Sequence, residues 1–183
     1  MKKSKIELEL LKQISEHLNF NDLMHTLGVA EAARKLGRKY HLSQKDNEQL
    51  LLDAYLHDYS KREGDICTHH LTSAIAAKAI LDNLGYENAN YVSDDIRAHS
   101  FPIQFFRKEG IEFPKPASLI QLLLIMADLT EVTSAAGTAR TFANNVARKL
   151  SFEDNLKDVD FTMIETKKNL EWVLTEIKAF QSR

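Results

Sequence analysis

Adjacent His57 and Asp58 close the apolar stretch Leu50-Leu51-Leu52-Asp53-Ala54-Tyr55-Leu56. On a helix, Leu50, Ala54 and His57 share one stripe, and Leu51, Ala54 and Asp58 share the neighbouring one. Both polar residues therefore fall where the pattern asks for core. A buried carboxylate without a partner is costly, so it neutralises, finds a partner or binds a metal. An inward imidazole beside an inward carboxylate suits a divalent ion of intermediate hardness. The ordinary alternative is a helix C-terminus, where His favours the dipole and Asp is solvated. The combination recurs along the chain. His25 shares a stripe with Val29, Ala32 and Leu36. His69 lines up with Ser73, Ala76 and Ile80, and His70 with Ala74, Ala77 and Leu81, so periodicity leaves the choice between them open. His99 ends a stripe with Val92 and Ile96, and Asp128 follows the nearly all-apolar run from Leu119 to Ala127, on one stripe with Leu124 and Glu131. Five helices thus each bring a His or Asp inward. A shared metal centre explains all of them, because imidazole and carboxylate ligands projecting into a helical core build di-metal sites. Cys67 is the only cysteine and lies on no stripe, which excludes a thiolate zinc site.

The elements that must position these residues read as helices throughout. The three prolines, 102, 114 and 116, all lie in one stretch, and no strand alternation interrupts the helical period elsewhere. The spacing predicts an amphipathic helix over 5–18, with Asn19 to Asp22 capping a second that runs from about Leu23 to Tyr40. Leu23, Leu27 and Ala30 give that second helix another apolar stripe, which predicts a central position. Ser43-x-x-Asp46 opens a third helix ending at the His-Asp pair. A fourth runs from about His69 to Leu84, closed by Gly85, and a fifth over 89–99. Ser118 caps the next, residues 132–150 form another, and Thr162-x-x-Glu165 predicts the start of a last helix ending near 181. Residues 61–65 read as a polar loop. Between 100 and 117 lies a long loop carrying Phe101, Phe105, Phe106 and Phe113 with Arg107, Lys108 and Lys115. A loop this long within a compact domain is usually functional or disordered. Its rings could stack a base or pin the loop to the bundle, and the pinning reading is favoured for at least two of the four.

With 183 residues, one domain is expected, with its core over about 20–142 and a C-terminal helix over about 162–181. The net charge of −2 offers no argument for nucleic acid or an anionic membrane as partner. A lone cysteine allows no disulfide within the chain, which fits a reducing cytoplasm. Glu7, Glu9 and Lys12 break any apolar segment after Met1-Lys2-Lys3, so no secretory signal is expected. The longest apolar run is too short to span a bilayer.

The order H…HD…H…H…D on an all-α scaffold resembles the HD-domain superfamily of metal-dependent phosphohydrolases, over about residues 5–142. The stretches Met24-His25-Thr26-Leu27-Gly28-Val29-Ala30-Glu31-Ala32-Ala33, Leu56-His57-Asp58-Tyr59-Ser60-Lys61 and Ala127-Asp128-Leu129-Thr130-Glu131 are similar to the bacterial HD hydrolases that split diadenosine tetraphosphate symmetrically. Two segments depart from that family. His99-Ser100-Phe101-Pro102 replaces its His-Thr-Thr-Gly. The segments Ala98-His99-Ser100-Phe101 and Gly137-Thr138-Ala139-Arg140-Thr141-Phe142 look more like another HD branch, some of whose members hydrolyse nucleoside triphosphates. That branch has Asp-Arg-Leu-Asp where this chain has Asp128-Leu129-Thr130-Glu131.

The resemblance implies an HD-domain helical bundle in which His25, His57, Asp58 and Asp128 hold one metal. Asp58 would bridge to a second ion held by His69 and His99. His69 is preferred over His70 because His69-x-x-x-Ser73-Ala74 matches the family spacing. Two divalent ions, iron or manganese among others, would promote in-line attack of water on phosphorus. Lys61, just past the metal pair, is placed to neutralise a phosphate or the leaving group, which makes Asp58 and Lys61 the expected catalytic residues. Lys61, Arg97 and Arg140 are the expected phosphate contacts, and Phe101 a base contact. The expected partner is a nucleotide substrate, with no nucleic acid and no membrane, and a homodimer is one oligomeric option. The expected activity is phosphohydrolysis of a nucleotide, with cleavage of diadenosine tetraphosphate to ADP as the leading specific case. The alternatives are nucleoside tri- or monophosphate hydrolysis, or a nucleotide-binding module without catalysis.

Overall fold

A computed structural model describes residues 5–62, 66–103, 107–147, 149 and 151–182. Eight helices account for most of it: α1 (Lys5–His17), α2 (Phe20–Lys39), α3 (Gln44–Leu56), α4 (His69–Asn83), α5 (Ala89–Ala98), α6 (Leu119–Val132), α7 (Ala135–Ala147) and α8 (Phe152–Gln181), with a 3-10 turn at Ile66–Thr68 leading into α4. No strand occurs among the described residues. The protein is an all-α bundle.

Local chemistry sets most helix ends. The Asn19 side chain accepts from the backbone N–H groups of Asn21 and Asp22, so α2 begins at Phe20, three residues before the apolar pattern starts. Ser43 accepts from Asp46 N–H. Ser118 and Gln121 form a reciprocal capping box at α6. Gly85, at φ +73°, ends α4 where a side chain would be strained. The last helix departs from expectation. It begins at Phe152, where Ser151 accepts from Asp154 N–H, and Thr162 lies in its interior with its carbonyl accepting from Thr166 Oγ1. A Thr-x-x-Glu pair caps only where the preceding chain leaves the helix, and residues 152–161 contain no Gly or Pro to make it do so.

The apolar α6 lies at the centre and packs against α2, α3, α5, α7 and α8, while α4 and α5 pair closely. Of the second apolar stripe expected on α2, Ala30 is fully buried and Leu23 packs against the core, but Leu27 is exposed. Helices α3 and α6 cover only one side of α2, and the residues that meet them are Thr26, Val29, Ala30, Ala33, Leu36 and Gly37. On α1, buried Glu7 sits among apolar neighbours because Arg34 pairs with it at 2.7 Å and the Tyr55 hydroxyl donates to it at 3.0 Å.

The core also holds carboxyls remote from the expected metal centre. Asp53 of α3 is fully buried beside Asp95 of α5, which accepts from Gln49 Nε2 at 2.6 Å. Burial, and then the neighbouring Asp95, hold Asp53 well above the ordinary range. Burial also raises Asp95 from 3.8 to about 6, only partly offset by Gln49, Asp53 and Gln121. A carboxyl whose folded pKa is raised keeps its proton in the native state, so stability is lost as pH climbs from about 4 through 6. For Asp95 this amounts to on the order of 3 kcal/mol. Asp95→Asn is therefore expected to melt at a higher temperature than the parent at pH 7 and at nearly the same temperature at pH 4. An equal effect at both pH values would show that charge burial is not the cause.

The described parts of the loop after α5 lie against the bundle. Phe113 stacks on His70 with ring centroids 4.5 Å apart, and Phe101 meets Trp172 of α8 at 5.6 Å. The Arg107 guanidinium lies over both phenylalanine rings and donates to the Phe101 carbonyl at 2.9 Å. Phe105 and Phe106, and residues 63–65 of the polar loop, lie outside the described residues. No single helix among the described residues is long and apolar enough to cross a membrane.

Candidate metal centre

Three of the four histidines at the centre stand at helix ends and are oriented alike. His57 caps α3 and its Nδ1–H donates to the Ala54 carbonyl at 3.0 Å. His69 opens α4 and donates from Nδ1 to Ile66 O at 2.5 Å, and His99 caps α5 and donates to Ile96 O at 2.6 Å. In each case a carbonyl three residues back, in the last helical turn or in the 3-10 turn, accepts the Nδ1 proton. The tautomer follows: Nε2 carries the lone pair and points inward. Burial lowers His57 to about 4 and His69 to about 3, outweighing the nearby carboxylates. Both rings are therefore neutral donors at neutral pH.

His25 differs, since it sits in the second turn of α2 and faces the same centre from the side. Its Nδ1 lies 2.5 Å from Glu131 Oε2 of α6. Burial opposes a charge on His25, but hydrogen bonds with Asp128 and Asp58 outweigh it and raise the pKa.

Two donor sets result, His25, His57 and Asp128 in one and Asp58, His69 and His99 in the other. In the first, His25 Nε2 is 3.2 Å from both His57 Nε2 and Asp128 Oδ1. In the second, His69 Nε2 is 3.2 Å from His99 Nε2, with the Ser100 hydroxyl 3.0 Å from the former. Asp58 joins the sets. Its Oδ2 lies 3.5 Å from His25 Nε2 and 3.6 Å from His57 Nε2, and its Oδ1 lies 3.5 Å from His69 Nε2 and 3.7 Å from His99 Nε2. The turn that carries Asp58 is tied to α4 by the Ser60 N–H, which donates to Ser73 Oγ at 3.0 Å.

This donor set fits divalent ions. Neutral imidazole lone pairs 3.2 Å apart repel unless a cation or proton lies between them. Ser100 has one hydroxyl proton, which serves one ring at a time. Asp58 Oδ1 is buried and has no hydrogen-bond partner, the condition a carboxylate escapes by binding a cation. Donors about 2.0–2.1 Å from one ion sit roughly 3 Å or slightly more from each other, close to the spacing seen here. Burial would raise Asp58, but the Lys61 charge and the imidazoles around it hold it well below the carboxylate range, and Asp128 is likewise depressed. Both are ionised.

Beside the first set opens a cavity of about 330 Å³ whose walls include His25, Lys61, Arg62, Glu131 and Arg140. The Lys61 ammonium contacts Asp58 Oδ2, and the pull of Asp58 and Asp128 overcomes burial and keeps it charged. Arg62 pairs with Asp22, and Arg140 with Glu131 Oε1.

Of the ten residues expected at the site, the structure brings His25, His57, Asp58, His69, His99 and Asp128 into the two sets, and puts Lys61 and Arg140 on the adjoining cavity. It sets the other two apart. Arg97 is paired with Glu112 of the long loop at 3.0 Å, and the Phe101 ring is taken by Trp172 and Arg107. Neither lines the cavity. His70, fully buried, turns away from the centre, where its Nε2 meets the Glu112 carbonyl at 2.8 Å. The sequence alone assigns no role to Arg62, Ser100 or Glu131. The signals for Glu131 were its place on the stripe of Asp128 and in the family-like stretch Ala127-Asp128-Leu129-Thr130-Glu131. A family model described as HD domain matches residues 22–131 of the chain. No curated protein and no solved structure matches it.

Proposed function

The chain belongs to the HD-domain family, and from that membership and the geometry of the centre we propose that it is a metal-dependent phosphohydrolase acting on a nucleotide. One observation carries the proposal: the two carboxylate oxygens of Asp58 face two separate histidine sets, 3.5 to 3.7 Å from their Nε2 atoms. In this reading His25, His57, Asp58 and Asp128 hold one divalent ion, and Asp58, His69 and His99 hold a second. Iron and manganese are the ions to test first. When bound, such ions supply Lewis acidity, lowering the pKa of water and offsetting charge on phosphoryl oxygens.

The chain's own groups do the rest. Neutral His57 and His69 offer lone pairs without first losing a proton. Lys61, Arg62 and Arg140 bring three cations to the cavity beside the first set, enough to hold a polyphosphate against the centre. Lys61 is nearest and is placed to neutralise a transferring or departing phosphate. With Phe101 engaged elsewhere, base recognition falls to other parts of the cavity wall, where Ile66 and Val132 are the apolar members.

Symmetric hydrolysis of diadenosine tetraphosphate is the specific reaction to test first, because three motif stretches around the centre are similar to that branch. The Ser100-Phe101-Pro102 departure favours nucleoside triphosphates as the second substrate. A nucleotide panel assayed with iron, manganese and cobalt in turn, with products separated by chromatography, tests the proposal. ADP alone from diadenosine tetraphosphate supports symmetric attack. AMP with ATP means that the chain is held off-centre. Pyrophosphate from nucleoside triphosphates alone moves the protein to the other branch. Metal uptake with no turnover of any nucleotide would reduce it to a binding module.

A further inference from the structure

We propose that Glu131 is the positioning residue for His25, and that through His25 it sets the affinity of one of the two ions while leaving the other untouched. The inference rests on the metal-centre reading above. His57, His69 and His99 each find a backbone carbonyl three residues back for Nδ1. His25 is not at a helix end, so the carbonyls one turn before it, those of Asn21 and Asp22, are committed to the α2 hydrogen-bond ladder. Its Nδ1 must be held from elsewhere. Glu131, 106 residues further along the chain, supplies the acceptor at 2.5 Å from a buried side chain. A carboxylate behind a ligating imidazole fixes its tautomer and ring orientation and raises its basicity.

The surroundings are arranged to admit this one side chain. A Cβ at Gly28, one turn after His25, would lie 2.6 Å from Glu131 Cγ and 3.0 Å from Oε1. Any other residue at position 28 would displace Glu131. Glycine is less favourable than alanine in a helix interior, and here it opens the space through which Glu131 reaches His25. At Gly137 a Cβ would lie 2.3 Å from the Glu131 carbonyl oxygen. The missing side chain lets α7 start hard against the end of α6. That contact brings Arg140, one turn further on, to Glu131 Oε1, leaving Oε2 for His25. Glu131 is thus a buried, charge-compensated carboxylate with one oxygen for each partner.

The asymmetry makes the proposal testable apart from activity. Titration of Mn²⁺ into the metal-stripped full-length chain, followed calorimetrically, should show two binding steps. In Glu131→Ala the step that depends on His57 should weaken roughly 10–100-fold, while the step that depends on His99 keeps its affinity. Gly28→Ala should weaken the same step, because its methyl displaces Glu131. Proton NMR of the metal-free protein gives a second readout: a downfield Nδ1–H resonance of His25 present in the parent and absent in Glu131→Ala. Equal affinities in the parent and in Glu131→Ala overturn the proposal alone, as does an equal loss at both steps. A parent chain that takes up no Mn²⁺, Fe²⁺ or Co²⁺ overturns the metal reading and the proposal together.

Discussion

Asp58→Ala is expected to strip the protein of bound divalent metal and to lower kcat/KM on the nucleotide proposed as substrate by at least about a thousandfold, or about 4 kcal/mol of transition-state stabilisation. Asp58 faces both donor sets. Its Oδ2 is within 3.6 Å of the Nε2 atoms of His25 and His57, and its Oδ1 within 3.7 Å of those of His69 and His99. Losing any one histidine leaves one set intact, whereas losing Asp58 breaks both. Alanine also removes the carboxylate that the Lys61 ammonium contacts, so the group placed to meet a phosphate loses its anchor. Elemental analysis of the purified variant, beside a steady-state assay, checks the prediction. Full metal content in Asp58→Ala would remove this residue from a bridging role.

The second large effect separates two neighbours that helical periodicity cannot tell apart. His69→Ala should lose the second ion and most activity, because Nε2 of His69 joins Asp58 and His99. His70→Ala should keep both ions and lose stability instead, by about 2–3 kcal/mol, through the cavity left in the core and the lost hydrogen bond. His70 is fully buried, so its replacement is no surface change, but its contacts are with Phe113 and the Glu112 carbonyl of the long loop. Metal content and thermal melting of the two variants should therefore move in opposite order. If His70→Ala sheds metal and His69→Ala does not, the wrong face of α4 has been assigned to the centre.

Much of the positioning is visible one helix at a time. Ser43, Ser118 and Gly85 terminate helices by contacts within four residues, so their types and spacing suffice to find them. The same locality misleads at Thr162. A capping signature there repeats the chemistry of Ser151 and Asp154, and only the uninterrupted helix before it shows that nothing ends at that point. It misleads again on α2, where Leu27 satisfies a periodic stripe yet is exposed, although Ala30 of the same stripe is buried. Phe101 and Arg97 carry suitable chemistry for a nucleotide, but Trp172 and Glu112 had already claimed them.

By itself, the sequence determined the all-α class, the inward His and Asp on five helices, and the resemblance to HD hydrolases. Each follows from periodicity or motif spacing, which are local properties of the chain. The resemblance implied two ligand sets bridged by Asp58; the tertiary structure alone decided that Asp58 turns one oxygen to each set, and that Glu131 stands behind His25. These depend on distances between residues up to 106 positions apart. Such distances are set by how α2, α3, α4, α5 and α6 pack, and no pattern within a single helix encodes the angle at which its neighbour arrives.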